Sequence, residues 1–477
     1  MSQELNPGPG IRRASKGARL GLLLAACLLV VLPIRAKLKG APVPRAPVPL
    51  SFYAGSRFAG SLLERSPLER SDAQSSGCSG SSFAQHQSNV TSQLSSVAPG
   101  VTVTQLTDSG GNWISYHDIP AYSVALHRIF YNRMKDNLKI MANADGSDPQ
   151  ILSSEPDSRP TRTRELYLSF DGTLAYYLKT NPGGSGVDLY AIHLNIAGAC
   201  KEVRLTNLDY AGGPVKISTT TIDSKSGKNV IGYAESNVLH RMLEDGSRLS
   251  DVNLPDPENE FPFHILRLNP KFPNILFYRR NKPGERFGVD SLWVTDLSTP
   301  GKAYDLAAGY QKLAHPAWSE DGLQIGFRDR SGRWYAASVV RADGTLNVSH
   351  SSFQVKSIGP RDQGLDAQFC IWSPDSSQFL CITSRTGSDS KVFLMSLDGS
   401  ATRVLASTDL HAQNRNPGGP RPGTVMRQPG RREGSGEEGG MQGDTWARFL
   451  GDSQHIIFHS NRSGRPELYS ISNFSPF

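Results

Sequence analysis

The chain lacks the short motifs that announce the commonest catalytic machines. It contains no G-x-S-x-G nucleophile elbow, no H-E-x-x-H and no phosphate-binding glycine loop, which argues against a serine hydrolase, a zincin protease and a nucleotide enzyme. Its five Cys include no C-x-x-C pair, so no structural zinc spacing is present. It also lacks a concentration of basic charge. The net charge of +7 is spread along the chain, whereas nucleic-acid binders gather Lys and Arg on one face of a recognisable module. A diffuse excess fits a soluble surface with a mild preference for anionic ligands.

Long amphipathic helical periods are scarce too. With 46 Gly, 31 Pro and 38% hydrophobic residues in 477 positions, the chain reads as many short strands separated by turns. Its length suits either two to four domains or one large repeat architecture, and the composition favours the repeat.

The one long apolar run lies near the start. Residues 12–36, RRASKGARLGLLLAACLLVVLPIRA, place a basic region before about 15 mostly apolar residues, the layout of a secretory signal. It is short against the roughly 20 residues a membrane span needs. Cleavage after Ala36, lipidation at Cys27 and retention as an anchor are the three outcomes. The apolar Leu28 to Val31 speak against lipidation, and Arg35, Lys37 and Lys39 against easy translocation. Residues 1–39 are therefore expected to be a signal peptide or membrane anchor, giving an exported or membrane-anchored, periplasmic or extracellular protein. The Pro-, Ser-, Gly- and Gln-rich stretch 40–99 is expected to be a disordered linker.

Beyond it a unit repeats. Ala317-Trp318-Ser319 reads as a strand, Glu320-Asp321-Gly322 as a turn, and Leu323 to Phe327 as a second strand. Copies recur at 166–178 (LYLSFDGTLAYYL), 266–280, 369–383 and 447–472, with less regular ones within 122–146 and 215–236. About seven units of ~40–50 residues predict an all-β, seven-bladed β-propeller over 100–477. The repeated Asp and Gly then serve the turn, not chemistry. Residues 411–443 break the rhythm with Gly, Pro and Arg and no strand signal. A disordered insertion is favoured over a lid there, though its arginines have the reach to meet an anionic ligand at the propeller mouth.

Cys370 and Cys381 flank one strand-turn-strand copy. A disulfide in an oxidising compartment and two buried thiols both fit, ordinary burial preference favouring the thiols.

The histidines draw attention by position. His315 stands four residues before Ser319, at the start of the innermost strand of its blade; His264 stands five residues before Asn269, one blade earlier; His117 precedes the first unit. Imidazoles from neighbouring blades converging on the channel mouth are able to hold a divalent metal. The alternative is a set of isolated polar residues hydrogen-bonded at strand ends.

The run from His264 to Phe327 resembles the central blades of the oligogalacturonate lyases, seven-bladed propellers related to the TolB-type repeat group. The matching residues are His264 before its Asn-Pro turn, PNILFYRR, GVDSLWV from Gly288, and HPAWSEDG from His315; the final HSNRSGRPELYSIS is also similar to that family's last blade. The resemblance implies β-elimination on short pectic uronate oligomers, with a divalent cation, typically manganese, on the substrate carboxylate. It makes His315 a metal ligand and His264 the catalytic base, with Arg279 and Arg280 placed to meet substrate carboxylates. Where the family has a Gln and two His ahead of its last-blade Phe, this chain has Gln442, Asp444 and Trp446. Oxygen donors suit manganese, so Gln442 and Asp444 are the expected replacement ligands. The competing reading is a non-catalytic TolB-like propeller, a cell-envelope binding or scaffold module. The expected partner is an anionic oligosaccharide or an envelope protein, with no nucleic acid and with membrane contact only through the N-terminal segment.

Overall fold

A computed structural model of the chain describes most residues from 88 to 477; the largest stretches outside it are 1–87, 155–165, 281–291 and 408–445. The leader, the linker up to residue 87 and the 411–443 insertion therefore lie outside the described residues. Among those described, no helix is long and apolar enough to cross a membrane.

Seven antiparallel sheets make a seven-bladed propeller. Blade 4 shows the standard build: Phe263–Leu268, Ile275–Arg280, Leu292–Asp296 and Ala303–Asp305 pair in that order. Blade 5 repeats it with Ala314–Trp318, Gln324–Arg328, Trp334–Ser338 and Gln354–Gly359, and blade 6 with Ala367–Trp372, Gln378–Thr383, Lys391–Ser396 and Thr402–Ser407. The first strand of each is the innermost. Its second and third strands are apolar on both faces because a neighbouring blade packs on each side: Ile325, Phe327, Phe379, Cys381, Phe393 and Leu394 are all fully buried.

The ring closes with an outer strand from the start of the domain. Thr102–Gln105 adds to Glu467–Ser472 of blade 7, pairing Val103 with Ile471, and both side chains are fully buried. Glu467 fastens the join, since its carboxylate accepts hydrogen bonds from Thr107 at 2.5 Å and Asn112 at 2.9 Å. Ordered structure begins earlier than the composition suggests. Ser88–Asn89 pairs with Gln105 and Thr104, and Val90 is buried, so the end of the stretch read as linker is bound to the last blade.

The repeated turn is built by local hydrogen bonds. Ser319 donates its hydroxyl to Asp321 at 2.5 Å and accepts the Gln324 amide at 2.9 Å; Ser169 and Ser373 do the same with Asp171 and Asp375. Gly322 has φ +72°, and a Cβ there would stand 2.4 Å from the Asn269 side-chain oxygen, so both conformation and space require glycine. The turns also join one blade to the next. Ser123 donates to the Gly172 carbonyl, the Phe170 amide to Thr220, Thr219 to the Leu268 carbonyl, Asn269 to the Gly322 carbonyl, and the Asp321 amide to Ser376.

Cys370 and Cys381 face each other across the first two strands of blade 6 and form a disulfide, with Cα atoms 4.1 Å apart. The thiol reading is corrected. Burial preference says that a Cys is inside, but direct cross-strand pairing is what decides whether two meet.

Candidate functional site

Three consecutive innermost strands carry a bulge at the same place. Pairing passes from Phe263↔Arg280 to Ile265↔Arg279 in blade 4, from Ala314↔Arg328 to Ala317↔Gly326 in blade 5, and from Ala367↔Thr383 to Phe369↔Ile382 in blade 6. Each inserts an extra residue near the strand start, and bulges re-aim side chains. In blade 5 the bulge contains His315, which sits at φ 53°, a left-handed conformation uncommon outside glycine.

What His315 meets is a part of blade 1. The innermost strand of that blade is interrupted: only Asn112–Trp113 and Tyr122–Ser123 pair with Arg128–Arg133, while 114–121 leave the sheet. Tyr116, His117 and Asp118 ride on this detour and enter the channel. The Tyr116 hydroxyl lies 3.2 Å from His315 Nδ1. The ring of His117 is 5.3 Å from that of His315, edge to face, and Phe369 is 4.2 Å from His315. Trp446 completes the cage, 4.9 Å from Tyr116 and 6.5 Å from Phe369 by ring centroids. His117 is fully buried, and desolvation holds its pKa down at about 4; Asp118 pulls the other way, while Arg448 and Arg267 add to the lowering. Behind the cage His459 packs tilted against Trp113 and edge-on against Trp446, its pKa held at about 3 by burial.

The turn end of the channel is polar. Arg267 from blade 4 grips Asp118 with two hydrogen bonds, Nε to Oδ2 at 2.5 Å and Nη2 to Oδ1 at 2.9 Å, with both side chains buried. Desolvation works to raise the Asp118 pKa, but Arg267 and His117 outweigh it and hold the carboxyl below its ordinary value. Arg448 of blade 7 donates to the Tyr116 carbonyl at 2.9 Å, which fastens the detour from a second side. A pocket of ≈ 400 Å³, counting the solvent at its mouth, opens here between Arg267, Asp118, Arg448, Glu320, Trp318 and Trp372. Burial raises the Glu320 pKa against the opposing pull of Arg448 and Lys271.

The residues singled out in the sequence fall unevenly on this geometry. His315 is at the channel and beside His117. His264 is the extra residue of the blade 4 bulge, but its side chain lies outside the described residues, as does that of Arg280. Arg279 is buried, 8% exposed, in the second strand of blade 4. Gln442 and Asp444 lie outside the described residues. Among the described residues no three His, Cys, Asp or Glu come together as metal ligands. Beside His315 stand one further imidazole, His117, together with the Tyr116 phenol and the Phe369 ring, which are poor manganese donors. Two imidazoles do not by themselves complete a manganese site among the described residues. Asp118, Arg267, Arg448 and Glu320 carried no recognisable sequence signal beyond their charge; Asp118 and Arg267 are 149 residues apart.

No known protein-family description matches the chain, and no curated protein matches it. Solved structures do. An oligogalacturonate lyase in complex with manganese superposes with a TM-score of 0.54 at 13% identity, covering 82% of this chain and 97% of that one. An oligogalacturonate lyase from Vibrio parahaemolyticus gives 0.53 at 11%, covering 82% and 96%. At such identity the likeness is one of fold: the chain is similar in fold to the seven-bladed propellers on which oligogalacturonate lyases are built.

Proposed function

We propose that this propeller is a non-catalytic binding module, exported or held at the membrane by its N-terminal segment, on a scaffold shared with oligogalacturonate lyases. The observation that carries the reading is the closure around His315. The ring that the resemblance marks as a ligand is bonded to Tyr116 and packed against His117 and Phe369, with Trp446 sealing the cage. A metal-assisted elimination needs an open coordination position beside the substrate carboxylate, and a tyrosine and aromatic rings take up that room. The partner is an anionic oligosaccharide or an envelope protein, met through a surface with a diffuse positive charge. Export is supported by the leader-like residues 12–36 and by the Cys370–Cys381 disulfide, a bond that persists in oxidising compartments.

The test is direct. The purified chain is incubated with oligogalacturonate, with and without manganese, and the ultraviolet absorbance of the unsaturated product is followed beside an authentic lyase. No product and a thermal midpoint unmoved by manganese are expected, because a metal that binds only the folded state raises that midpoint. Manganese-dependent product would overturn the reading.

A further inference from the structure

The pocket at the turn end lies at the far end of the innermost strand from His315, so its use does not depend on whether the His315 end is catalytic. The polar groups of its walls are committed. Arg267 is bound to Asp118, Arg448 donates to the Tyr116 carbonyl, and the indoles of Trp318 and Trp372 donate to the Arg267 and Ala317 carbonyls at 3.4 and 3.3 Å. With its N–H spent on backbone, each indole offers the pocket only ring surface. Pro120, Phe170, Ala317 and Ile371 line the same space, so an incoming group meets mainly apolar contact. Phe170 holds the place in its turn that Glu320 holds in blade 5, between the Ser and the Asp, and is half-buried.

The mouth is ringed by the inner turns, which form a closed collar. Beyond the links that run from Ser123 round to Ser376, the Ser453 side chain bonds to Asp375, and Gly451 of blade 7 packs on Val124 of blade 1. Over blades 5 to 7 this collar carries Asp321, Asp375 and Asp452 in succession, all exposed, with half-buried Glu320 at the lip. The turns use only part of each carboxylate: in Asp321 and Asp375 the bonds from the neighbouring Ser hydroxyls and backbone amides end on Oδ1. Exposed aspartates are ionised at neutral pH. Lys271 of the blade 4 turn and His455, 2.9 Å from Asp452, offset part of the arc. The arc still runs against the chain as a whole, whose net charge is +7.

An apolar pocket with an acidic lip has its complement in a bulky apolar side chain flanked by cations. We infer that the turn end docks a protein partner through an exposed segment in which one large apolar residue, entering beside Trp318, Trp372 and Phe170, is flanked by Lys or Arg that meet Asp321 and Asp375. The indoles supply the anchor of such a contact and the carboxylates its encounter rate and register. A polyanion is repelled by the arc, and an uncharged apolar segment leaves it unused.

The pentapeptides Lys-Lys-Phe-Lys-Lys, Lys-Lys-Ser-Lys-Lys and Glu-Glu-Phe-Glu-Glu, each carrying a neutral dye, are titrated with the full chain and followed by fluorescence anisotropy. The first is expected to saturate with a dissociation constant of about 0.1 mM, and the other two to bind at least about tenfold more weakly. Raising the ionic strength from about 0.05 to about 0.5 M should weaken the first peptide about tenfold. Asp321→Asn combined with Asp375→Asn keeps the Oδ1 acceptors of both turns, and is expected to weaken that peptide about tenfold with an unchanged thermal midpoint. Phe170→Ala is expected to weaken it about tenfold and to leave Lys-Lys-Ser-Lys-Lys unmoved. If the paired Asn variant loses thermal stability, Phe170→Ala and the salt series decide. Failure of Lys-Lys-Phe-Lys-Lys to saturate, either control binding as tightly, or unchanged affinity in either variant would each overturn the assignment.

Discussion

The two ends of the channel are built from the same blades and differ in kind. At the strand-start end, around His315, contacts are made by rings: Tyr116, His117, Phe369 and Trp446 pack edge to face and shut the space. At the turn end, the same detour of blade 1 delivers Asp118 into a charged setting with Arg267, Arg448 and Glu320, and a pocket stays open. One eight-residue departure from a strand thus does two jobs, as 114–121 closes one end and furnishes the other. A propeller site is decided by what its inner strands are made to present, and the fold alone does not specify it.

The largest way to break the contrast is through Asp118. Asp118→Asn leaves the Arg267 guanidinium buried against a neutral partner, and loss of one member of a buried pair costs about 3–5 kcal/mol. Urea unfolding should show that loss, together with collapse of the turn-end pocket. A decrease under about 1 kcal/mol would mean that the detour is held by its rings and not by its ion pair.

Acid should act on the other end. Burial keeps His117 neutral down to about pH 4 and His459 to about pH 3 when folded, whereas an unfolded chain takes up protons at both below about pH 6.5. The unfolded state therefore binds more protons as pH falls from 6.5, and stability falls with it, on the order of 3 kcal/mol from His117 by pH 4. Above pH 6.5 both imidazoles are neutral in both states and contribute no slope. Urea midpoints at pH 8, 6 and 4.5 check this, and His117→Gln should flatten the decline.

The comparison also separates what could be read in the sequence from what could not. The blades were legible, because each Ser-x-Asp-Gly turn is held by bonds between residues two to five apart, as in Ser319, Asp321 and Gln324. His315 was legible as a channel residue for the same reason, its distance from Ser319 being fixed within one strand. Its surroundings were not. The detour at 114–121 reads only as a gap between strands, and its partners lie far along the chain: Arg267 at 149 residues from Asp118, Arg448 at 332 from Tyr116. Closing strand Thr102–Gln105 was hidden similarly, since nothing local marks a strand whose neighbour is at the opposite terminus.

A smaller effect is expected where the turn meets the pocket. Gly322→Ala imposes a side chain at φ +72° and drives its Cβ against Asn269, which must release the Gly322 carbonyl. A left-handed non-glycine residue costs about 1–3 kcal/mol, measurable by denaturation. Blade 6 shows the tolerable limit, since Ser376 takes φ 56° at the matching position of its own turn.

The smallest change tests the closure of the His315 end most specifically. Tyr116→Phe removes one oxygen, the one 3.2 Å from His315 Nδ1, and keeps the ring packed on Trp446 and His117. A net hydrogen bond of this kind is worth about 1 kcal/mol, so the midpoint should fall by a few degrees and the elimination assay should stay silent. The informative measurement is the midpoint with manganese added. If aromatic packing shuts the site, the Tyr116→Phe protein gains nothing from the metal, because Phe369 and Trp446 still occupy the neighbouring space. A midpoint raised by manganese in that variant alone would instead make the Tyr116 hydroxyl the sole barrier, and the His315 end a metal site held closed by a single hydrogen bond.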